Sequence, residues 1–186
     1  MVTNRKKPFS TSLKYLERLF LVDRLRKADC LSPVGCFVMS VGNSTIVHDV
    51  VIFIRDLLRN NLTDPKDPRP SDKAPFVMTS YPEKGTIYYP HVIVYQAAGY
   101  GSRLGVNATF FKYNQRLRID ILSNSAKELD ELTDQVIYQL RNQISSINDY
   151  GIWNLQIVGF HMNPLPLAEK PYRKTVEIEC FVYPTP

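Results

Sequence analysis

The segment from residue 116 to residue 147 constrains the fold most, because a strand pattern is followed there by the pattern of a capped helix. From Arg116 to Leu122, polar and apolar residues alternate, which indicates a strand with one wet face and one buried face. Ser125 and Glu128 then have the spacing of a capping box, which satisfies free backbone N–H groups at a helix start. An apolar stripe at helical spacing follows: Leu129, Leu132, Val136, Leu140, Ile144 and Ile147.

This segment predicts an amphipathic helix over Ala126–Ile147 that packs on an antiparallel sheet. The matched periods place Leu117, Ile119 and Ile121 of the strand beneath the apolar stripe of that helix. A buried leucine at such a contact contributes roughly 2 to 5 kcal/mol relative to alanine. Substitution within the stripe is therefore expected to destabilise the chain strongly.

A second apolar stripe predicts a helix from near Ile46 to Leu62. Its members recur at helical spacing, Ser44 or Thr45 is placed to cap it, and Asp49 lies favourably in its first turn. Many of its residues are β-branched and have low helix propensity, so tertiary burial must hold the helix. A strand over Ile46–Ile54 is the alternative.

Most of the remaining sequence has strand patterns. Four prolines within residues 64–75 predict a surface loop first. Gly99, Gly101, Arg103 and Gly105 are predicted to form a flexible hairpin tip. Strands are predicted over Phe76–Tyr81, His91–Ala97, Asn107–Tyr113 with Gln115–Leu122, Trp153–His161 and Thr175–Tyr183. This order of elements predicts an α+β fold, a mainly antiparallel sheet with two amphipathic helices packed on one face, plus an N-terminal extension.

The positive charge of the chain is concentrated at its N-terminus. Residues 1–27 contain eight basic and two acidic residues, whereas the remainder contains fifteen basic and sixteen acidic residues. We therefore divide the chain into a basic N-terminal extension, residues 1–45, and an α+β domain, residues 46–186. Within the extension a short amphipathic helix is predicted from about Ser12 to Lys27. The candidate contact residues of the extension are Arg5, Lys6, Lys7, Lys14, Arg18, Leu13, Leu16, Leu19 and Phe20.

The extension cannot bury its apolar stripe alone, so we expect it to dock on another molecule. Its basic groups suit an acidic protein surface or DNA. A solvated amphipathic helix that lies on a neighbouring subunit is the plainer alternative. The apolar contact residues need an apolar partner that a phosphate backbone cannot supply, which favours a protein over DNA.

No group of residues in the sequence matches a catalytic or metal-binding motif. His48, His91 and His161 lie in different predicted elements, without a second ligand at metal spacing. The three cysteines match no zinc or redox motif and are interpreted as buried or half-buried thiols. We therefore expect no enzyme activity, no cofactor and no metal, with an enzyme site assembled from scattered residues as a third alternative.

A secretion signal and a membrane-spanning apolar run are also missing, so a soluble chain is expected.

Several segments of the α+β domain share an element order and a residue pattern with one family. They are the helix Val47–Leu62, Phe76–Met78 leading to Tyr81–Glu83, Pro90–Tyr95, Arg116–Ile121, the helix with Glu128, Leu129, Leu132, Asp134 and Val136, and two final strands joined by a proline-rich turn. In these segments the sequence resembles the tail-terminator and tail-completion proteins of tailed viruses. The N-terminal extension is not part of that pattern.

The resemblance implies a structural virion protein of the tail or neck, present in the host cytoplasm during assembly. Members of that family form a ring, commonly of six copies, that caps the finished tail tube and joins it to the head connector. The implied partners are further copies of the chain, the tail tube and head-connector proteins, with genomic DNA nearby and no membrane. The alternative from another class is a nucleic-acid-binding α+β module that uses the basic extension for phosphate contacts.

Overall fold

The computed structural model of the chain describes residues 45–103, 111–163 and 171–183. Within these residues the chain forms three helices and five strands. The helices are α1 (Ile46–Asn61), α2 (Ala126–Asn142) and α3 (Ile144–Asp149), and the strands are β1 (Val77–Met78), β2 (His91–Arg103), β3 (Phe111–Ser123), β4 (Ile152–Asn163) and β5 (Tyr172–Val182). The predicted α+β class is confirmed.

The strands form one mixed sheet in the order β1–β2–β3–β5–β4. β1 pairs with β2 in parallel, whereas the other pairings are antiparallel. The strand predicted over residues 76–81 is reduced to two residues, and it is the parallel one. β2 is longer than predicted, because its pairing with β3 continues as far as Arg103 and Phe111.

Helix α1 forms where the apolar stripe predicts it, which excludes the alternative strand. Val50 and Ile54 are fully buried on its inner face, so burial outweighs the low helix propensity of β-branched residues. Thr45 occupies the N-cap position, but its hydroxyl donates to Oδ2 of Asp49 over 2.7 Å instead of accepting from a backbone N–H. Ser44, the other predicted cap, lies outside the described residues.

The helix predicted over residues 126–147 is interrupted near its end. α2 ends at Asn142, and α3 begins at Ile144 after Gln143, whose ψ is 17°. Since helical ψ is near −42°, Gln143 changes the direction of the chain. Ile147 nevertheless remains fully buried, so the last member of the predicted stripe still reaches the core.

The start of α2 uses a modified capping box. Oγ of Ser125 accepts from the backbone N–H of Glu128 over 3.5 Å, as the spacing predicts. The Glu128 carboxylate, however, accepts from the hydroxyl of Ser123 instead of the Ser125 backbone. Oγ of Ser123 in turn accepts from the N–H of Ser125 over 3.0 Å. The last residue of β3 therefore takes part in capping the helix that follows it.

One face of the sheet packs against the helices and forms the main core. Leu117, Ile119 and Ile121 of β3 belong to the same buried cluster as the apolar stripe of α2, which confirms the predicted packing. The members from α2 are Leu129, Leu132, Val136 and Leu140. β5 contributes its alternate residues to this cluster, namely Val176, Ile178, Cys180 and Val182.

The opposite face of the sheet is partly covered by the segment between α1 and β2. Met78, Ile93 and Leu122 form a second, smaller buried cluster there, with Tyr89 and Tyr95 packed against it. Residues on the face that the sequence predicts to be wet are therefore buried at this end of the sheet.

Arg69 anchors the proline-rich loop, which contains neither helix nor strand, as predicted. Its guanidinium bonds the carboxylate of Asp64 and donates to the carbonyl oxygens of Tyr88 and Pro90, each at 2.5 Å. Charge-assisted hydrogen bonds of this kind are stronger than neutral ones. One largely buried cation thus joins the two ends of the segment that covers the sheet.

Candidate assembly surface

The candidate contact residues of the N-terminal extension lie outside the residues that the structure describes. They are Arg5, Lys6, Lys7, Lys14, Arg18, Leu13, Leu16, Leu19 and Phe20. Their contact with a partner therefore stays a prediction.

Three of the four residues predicted for the hairpin tip belong to a strand instead, which corrects the predicted start of the tip. Gly99, Gly101 and Arg103 lie inside β2 and pair with β3, whereas Gly105 lies outside the described residues. A Cβ on Gly101 would lie 2.8 Å from Cε1 of Tyr113. Glycine at this position lets the tyrosine ring lie against the neighbouring strand, which is a packing role.

The polar face of β3 holds a carboxylate that the alternation pattern predicts to be wet and that is in fact fully buried. Asp120 accepts four hydrogen bonds: from Oγ1 of Thr175 at 2.5 Å, from Nη2 of Arg173 at 2.6 Å, from the hydroxyl of Tyr95 at 3.1 Å and from the hydroxyl of Tyr81. These donors use the roughly four lone-pair positions of a carboxylate. The burial was missed because an alternating pattern does not show what covers a sheet face.

The charges in the Asp120 network support one another. Burial raises the pKa of Tyr81, and its hydrogen bond to Asp120 raises that pKa further, so the phenol stays protonated and donates. Burial opposes the charge of Arg173, but the Asp120 carboxylate outweighs it, and the pKa of the guanidinium is raised. The network therefore works as a structural clamp between β3, β5 and the covering segment, with its carboxylate positions already occupied.

Two further ion pairs cross the same face of the sheet. Arg118 pairs with Glu177 at 2.7 Å, and Arg116 pairs with Glu179 in a more exposed position. The hydrogen bond from Arg118 to Glu177 raises the pKa of that guanidinium. The structure therefore pairs both glutamates within the sheet. The arginines that β3 and β5 carry on this face each contact a carboxylate, so they do not form an unpaired basic patch.

His91 is a structural residue in this fold. It is fully buried, its Nε2 accepts from the N–H of Tyr88 at 3.1 Å, and its Nδ1 lies 3.1 Å from the carbonyl oxygen of Pro75. An accepting Nε2 carries no hydrogen, so Nδ1 donates to Pro75. Burial lowers the pKa of the imidazole, which favours this neutral form. Both ring nitrogens therefore already have backbone partners.

The described residues contain no group of three or more His, Cys, Asp or Glu side chains that could hold a metal ion. Cys180 lies in the core, and burial raises the pKa of its thiol to about 12. A protonated thiol is a weak nucleophile, so Cys180 serves as a small apolar residue. Cys30 and Cys36 lie outside the described residues.

Strand β4 forms one edge of the sheet and lacks the residue types that commonly protect an edge strand from pairing with another chain. It pairs only with β5 among the described residues. Its twelve residues include no Asp, Glu, Lys, Arg or Pro, although such residues commonly guard exposed edges against pairing. Val158, Phe160 and Met162 are 50%, 61% and 51% exposed. We call these three residues and the outer edge of the strand the β4 surface.

The C-terminal half of β4 has the most regular backbone. The register with β5 is irregular between Trp153 and Gln156 and between Ile157 and Gly159, but it is continuous from Gly159 to Asn163. A groove of about 430 Å³ lies beside the strand, lined by Leu140, Arg141, Ile144, Leu155, Gln156 and Ile157. The β4 surface thus combines a regular strand edge with exposed apolar side chains, and the groove is a separate depression beside residues 155–157.

The other side of the sheet also has an unpaired stretch. β1 pairs with only Val92 and Ile93 of β2. From Val94 to Arg103, the outer edge of β2 has no strand partner in the described part of the chain. Among the described residues, the two unpaired edges thus lie on opposite sides of one sheet.

Sequence reasoning predicted the strand near residues 153–161 but did not recognise it as a contact surface. The available signal was the absence of charged residues over the whole of β4. That signal is ambiguous in a sequence, because an interior strand can have the same composition. The position of β4 at the end of the strand order resolves the ambiguity.

No family model matches the chain, and no curated protein matches it. Among the described residues, no helix is long and apolar enough to cross a membrane.

Proposed function

We propose that this chain is a structural virion protein that forms a ring at the head-proximal end of a viral tail. There it terminates the tail tube and joins it to the head connector. Two lines support the proposal: the resemblance of the α+β domain to tail-terminator proteins, and the uncharged, apolar edge of β4. The second of these carries the assembly part of the proposal, since it is a property of the fold itself, whereas the tail assignment rests on the resemblance.

The composition of β4 favours association over solvation. Pairing this edge with another strand removes no Asp, Glu, Lys or Arg of β4 from water, so no charge on the strand has to be desolvated. Burying the exposed halves of Val158, Phe160 and Met162 would stabilise an assembly by about 1 kcal/mol each. Backbone hydrogen bonds along Gly159–Asn163 would add specificity through their register.

In the described part of the chain, the unpaired edges of β4 and β2 lie on opposite sides of the sheet, and this favours a ring over a simple dimer. Contact between β4 of one copy and β2 of the next joins two different surfaces, and repeated contacts of this type close into a ring when the rotation permits. A β4–β4 contact would instead use the same surface twice and would stop at two copies. The partners in this proposal are therefore further copies of the chain, together with tail-tube and head-connector proteins.

The native mass of the purified full-length chain tests assembly. We expect a closed oligomer of defined copy number, visible as a ring by electron microscopy. Phe160→Glu should shift the mass towards the monomer, because it places a charge in the centre of the β4 surface. Tyr138→Glu is the matched control, since Tyr138 is a similarly exposed aromatic residue (62%) on α2, and its mass should not change.

A second measurement tests the location in the virion. Antibody against the chain should label intact particles at the junction of head and tail. A monomeric chain that binds DNA with a steep salt dependence would contradict the proposal and support the nucleic-acid-binding alternative. If the chain forms a ring but the antibody labels no part of the virion, the assembly proposal stands and the tail assignment is refuted.

A further inference from the structure

A groove of about 660 Å³ lies between the first turns of α1 and the sheet, and we call it the α1 groove. Its lining includes Val47 and Ile52 of α1 and Tyr113 of β3. Val47 is 44% exposed although it stands in the first turn of a core helix. Among the described residues, no Asp, Glu, Lys or Arg side chain lines the groove. An uncharged, apolar side chain therefore suits it as an occupant, because no charge on either side has to be desolvated.

The α1 groove borders the unpaired edge of β2. Thr79, which follows β1, lines it together with Tyr95 and Gln96, which stand where the outer edge of β2 loses its strand partner. Farther along β2, Gly101 lies opposite Tyr113, and a Cβ on this glycine would lie 2.8 Å from Cε1 of the tyrosine. The tyrosine ring thus lies beside β2. A strand added at this edge would run past the groove.

The most exposed apolar side chain of β4 lies on the same face of the sheet as the α1 groove. Phe160 pairs with Val176, which belongs to the main core beneath the helices. Tyr113, which lines the groove, packs against the same core. Phe160 is 61% exposed, more than Val158 or Met162. The helix-bearing face therefore carries a groove near one edge of the sheet and an exposed aromatic ring at the other edge.

The strand directions allow these two features to meet between copies. The pairings of β2 with β3, of β3 with β5 and of β5 with β4 are all antiparallel, so β4 runs opposite to β2. When copies are related by rotation about an axis parallel to the strands, β4 of one copy meets β2 of the next as an antiparallel pair. The helix-bearing faces then stay on the same side, and Phe160 projects beside the α1 groove of the neighbouring copy.

We propose that the Phe160 side chain of one copy enters the α1 groove of the next copy and packs there against Val47, Ile52 and Tyr113. This inference rests on the proposed assembly through β4 and β2, and it names the pocket that receives the central side chain of the β4 surface. Residues 97–101 of β2 are alanine, glycine and one tyrosine, and glycine-rich strands specify their pairing register only weakly. A ring held in the groove fixes that register.

Photo-cross-linking tests the contact directly. p-Benzoylphenylalanine in place of Phe160 keeps an aromatic side chain and, on irradiation, bonds covalently to residues that it contacts. In the full-length chain we expect cross-links to Val47, Ile52 or Tyr113, located by mass spectrometry. A mixture of isotopically labelled and unlabelled chains should give peptides joined across the two forms, which identifies a contact between copies. The same residue in place of Tyr138 is the control and should not cross-link to the groove.

Filling the groove tests its contribution to assembly. Val47→Trp should raise the concentration at which half of the chains are assembled by at least about tenfold, because the larger side chain occupies the space of the incoming ring. Asn60→Trp adds the same side chain at an exposed position near the other end of α1 and should change nothing. Phe160→Ala should weaken assembly less in the Val47→Trp background than in the wild type, because the filled groove no longer accepts the ring.

The outcomes separate the groove contact from ring formation. Cross-links from position 160 to another part of the neighbouring copy, in a ring that Val47→Trp leaves intact, would overturn the groove contact and leave ring formation standing. Cross-links found only within one chain would also overturn it. A wild-type chain that stays monomeric would refute ring formation and the groove contact together.

Discussion

Strands β3 and β4 belong to the same sheet, but they differ in the burial of their side chains and in the contacts these make within the chain. β3 lies between β2 and β5. Its Leu117, Ile119 and Ile121 are buried under the helices, and the charged residues on its other face each contact a partner within the chain. β4 lies at the end of the sheet and carries no Asp, Glu, Lys or Arg, and three of its large apolar side chains are at least half exposed.

The difference separates residues that hold the fold from residues that are available to another molecule. The side chains of β3 have their partners in the same chain, so changing them should reduce the stability of the monomer. The exposed side chains of β4 have few contacts to lose, so changing them should leave the monomer stable and reduce assembly.

Substitutions in the apolar stripe of α2, which packs on β3, should have the largest effect on the free energy of unfolding. Leu132→Ala removes a buried side chain of α2, 3% exposed, and should lower the free energy of unfolding by about 2 to 5 kcal/mol. Val136→Asp should be more severe, since it places an unpaired carboxylate at a fully buried position. Urea-induced unfolding followed by circular dichroism measures both changes, and unfolding curves that coincide with the wild type would refute the packing of α2 on β3.

Asp120→Asn should have the next largest effect. Breaking a buried ion pair costs about 3 to 5 kcal/mol, and because the Arg173 side chain is 29% exposed, we expect about 2 kcal/mol here. Glu179→Gln on the same face is the matched control. Its ion pair with Arg116 is nearly half exposed, so its loss should cost less than about 1 kcal/mol. If both variants lose the same unfolding free energy, the Asp120 network stabilises the fold no more than a surface ion pair does.

His91 should make stability depend on pH below its ordinary pKa. Burial lowers the pKa of the folded-state imidazole below the unfolded value of 6.5, so the unfolded chain binds more protons as the pH falls. The contribution of the neutral imidazole to stability is complete above pH 6.5. It is lost as the pH decreases towards the folded-state pKa, by about 1.4 kcal/mol per unit of difference between the folded and unfolded pKa. Over this range, the melting temperature should change less steeply with pH for His91→Gln than for the wild type. An unchanged slope would mean that His91 does not titrate on unfolding.

Phe160→Ser should have the smallest effect on the monomer. The side chain is 61% exposed, and exposed substitutions usually change stability by less than about 0.5 kcal/mol. Unfolding measured at a protein concentration that maintains the monomer provides the test. A loss as large as that of Leu132→Ala would show that Phe160 belongs to the core and that β4 is not a free edge.

The sequence was sufficient to predict the elements whose pattern depends on local spacing. The stripes of α1 and α2 and the alternation of β3 and β5 specify which residues face the core, and the structure places them there. The α+β class follows from these elements. Ser125 and Glu128 likewise indicate where α2 begins, because capping depends on residues close in sequence.

Features that depend on distant parts of the chain could not be predicted in this way. The burial of Asp120 requires Tyr81 and Arg173, which are far from it in sequence. Gly101 was assigned to a hairpin tip because glycine also favours turns, whereas its role depends on the ring of Tyr113 on the next strand. The β4 surface required the strand order, since composition alone does not distinguish an edge from an interior strand.

A structure of the full-length assembly tests the central claim most directly, because it shows which surfaces the copies share. We predict a closed ring in which residues 159–163 of β4 pair with the outer edge of β2 in the next copy. Val158, Phe160 and Met162 should be buried at that contact. A monomer under these conditions, or a ring in which these three side chains remain exposed to solvent, would contradict the account.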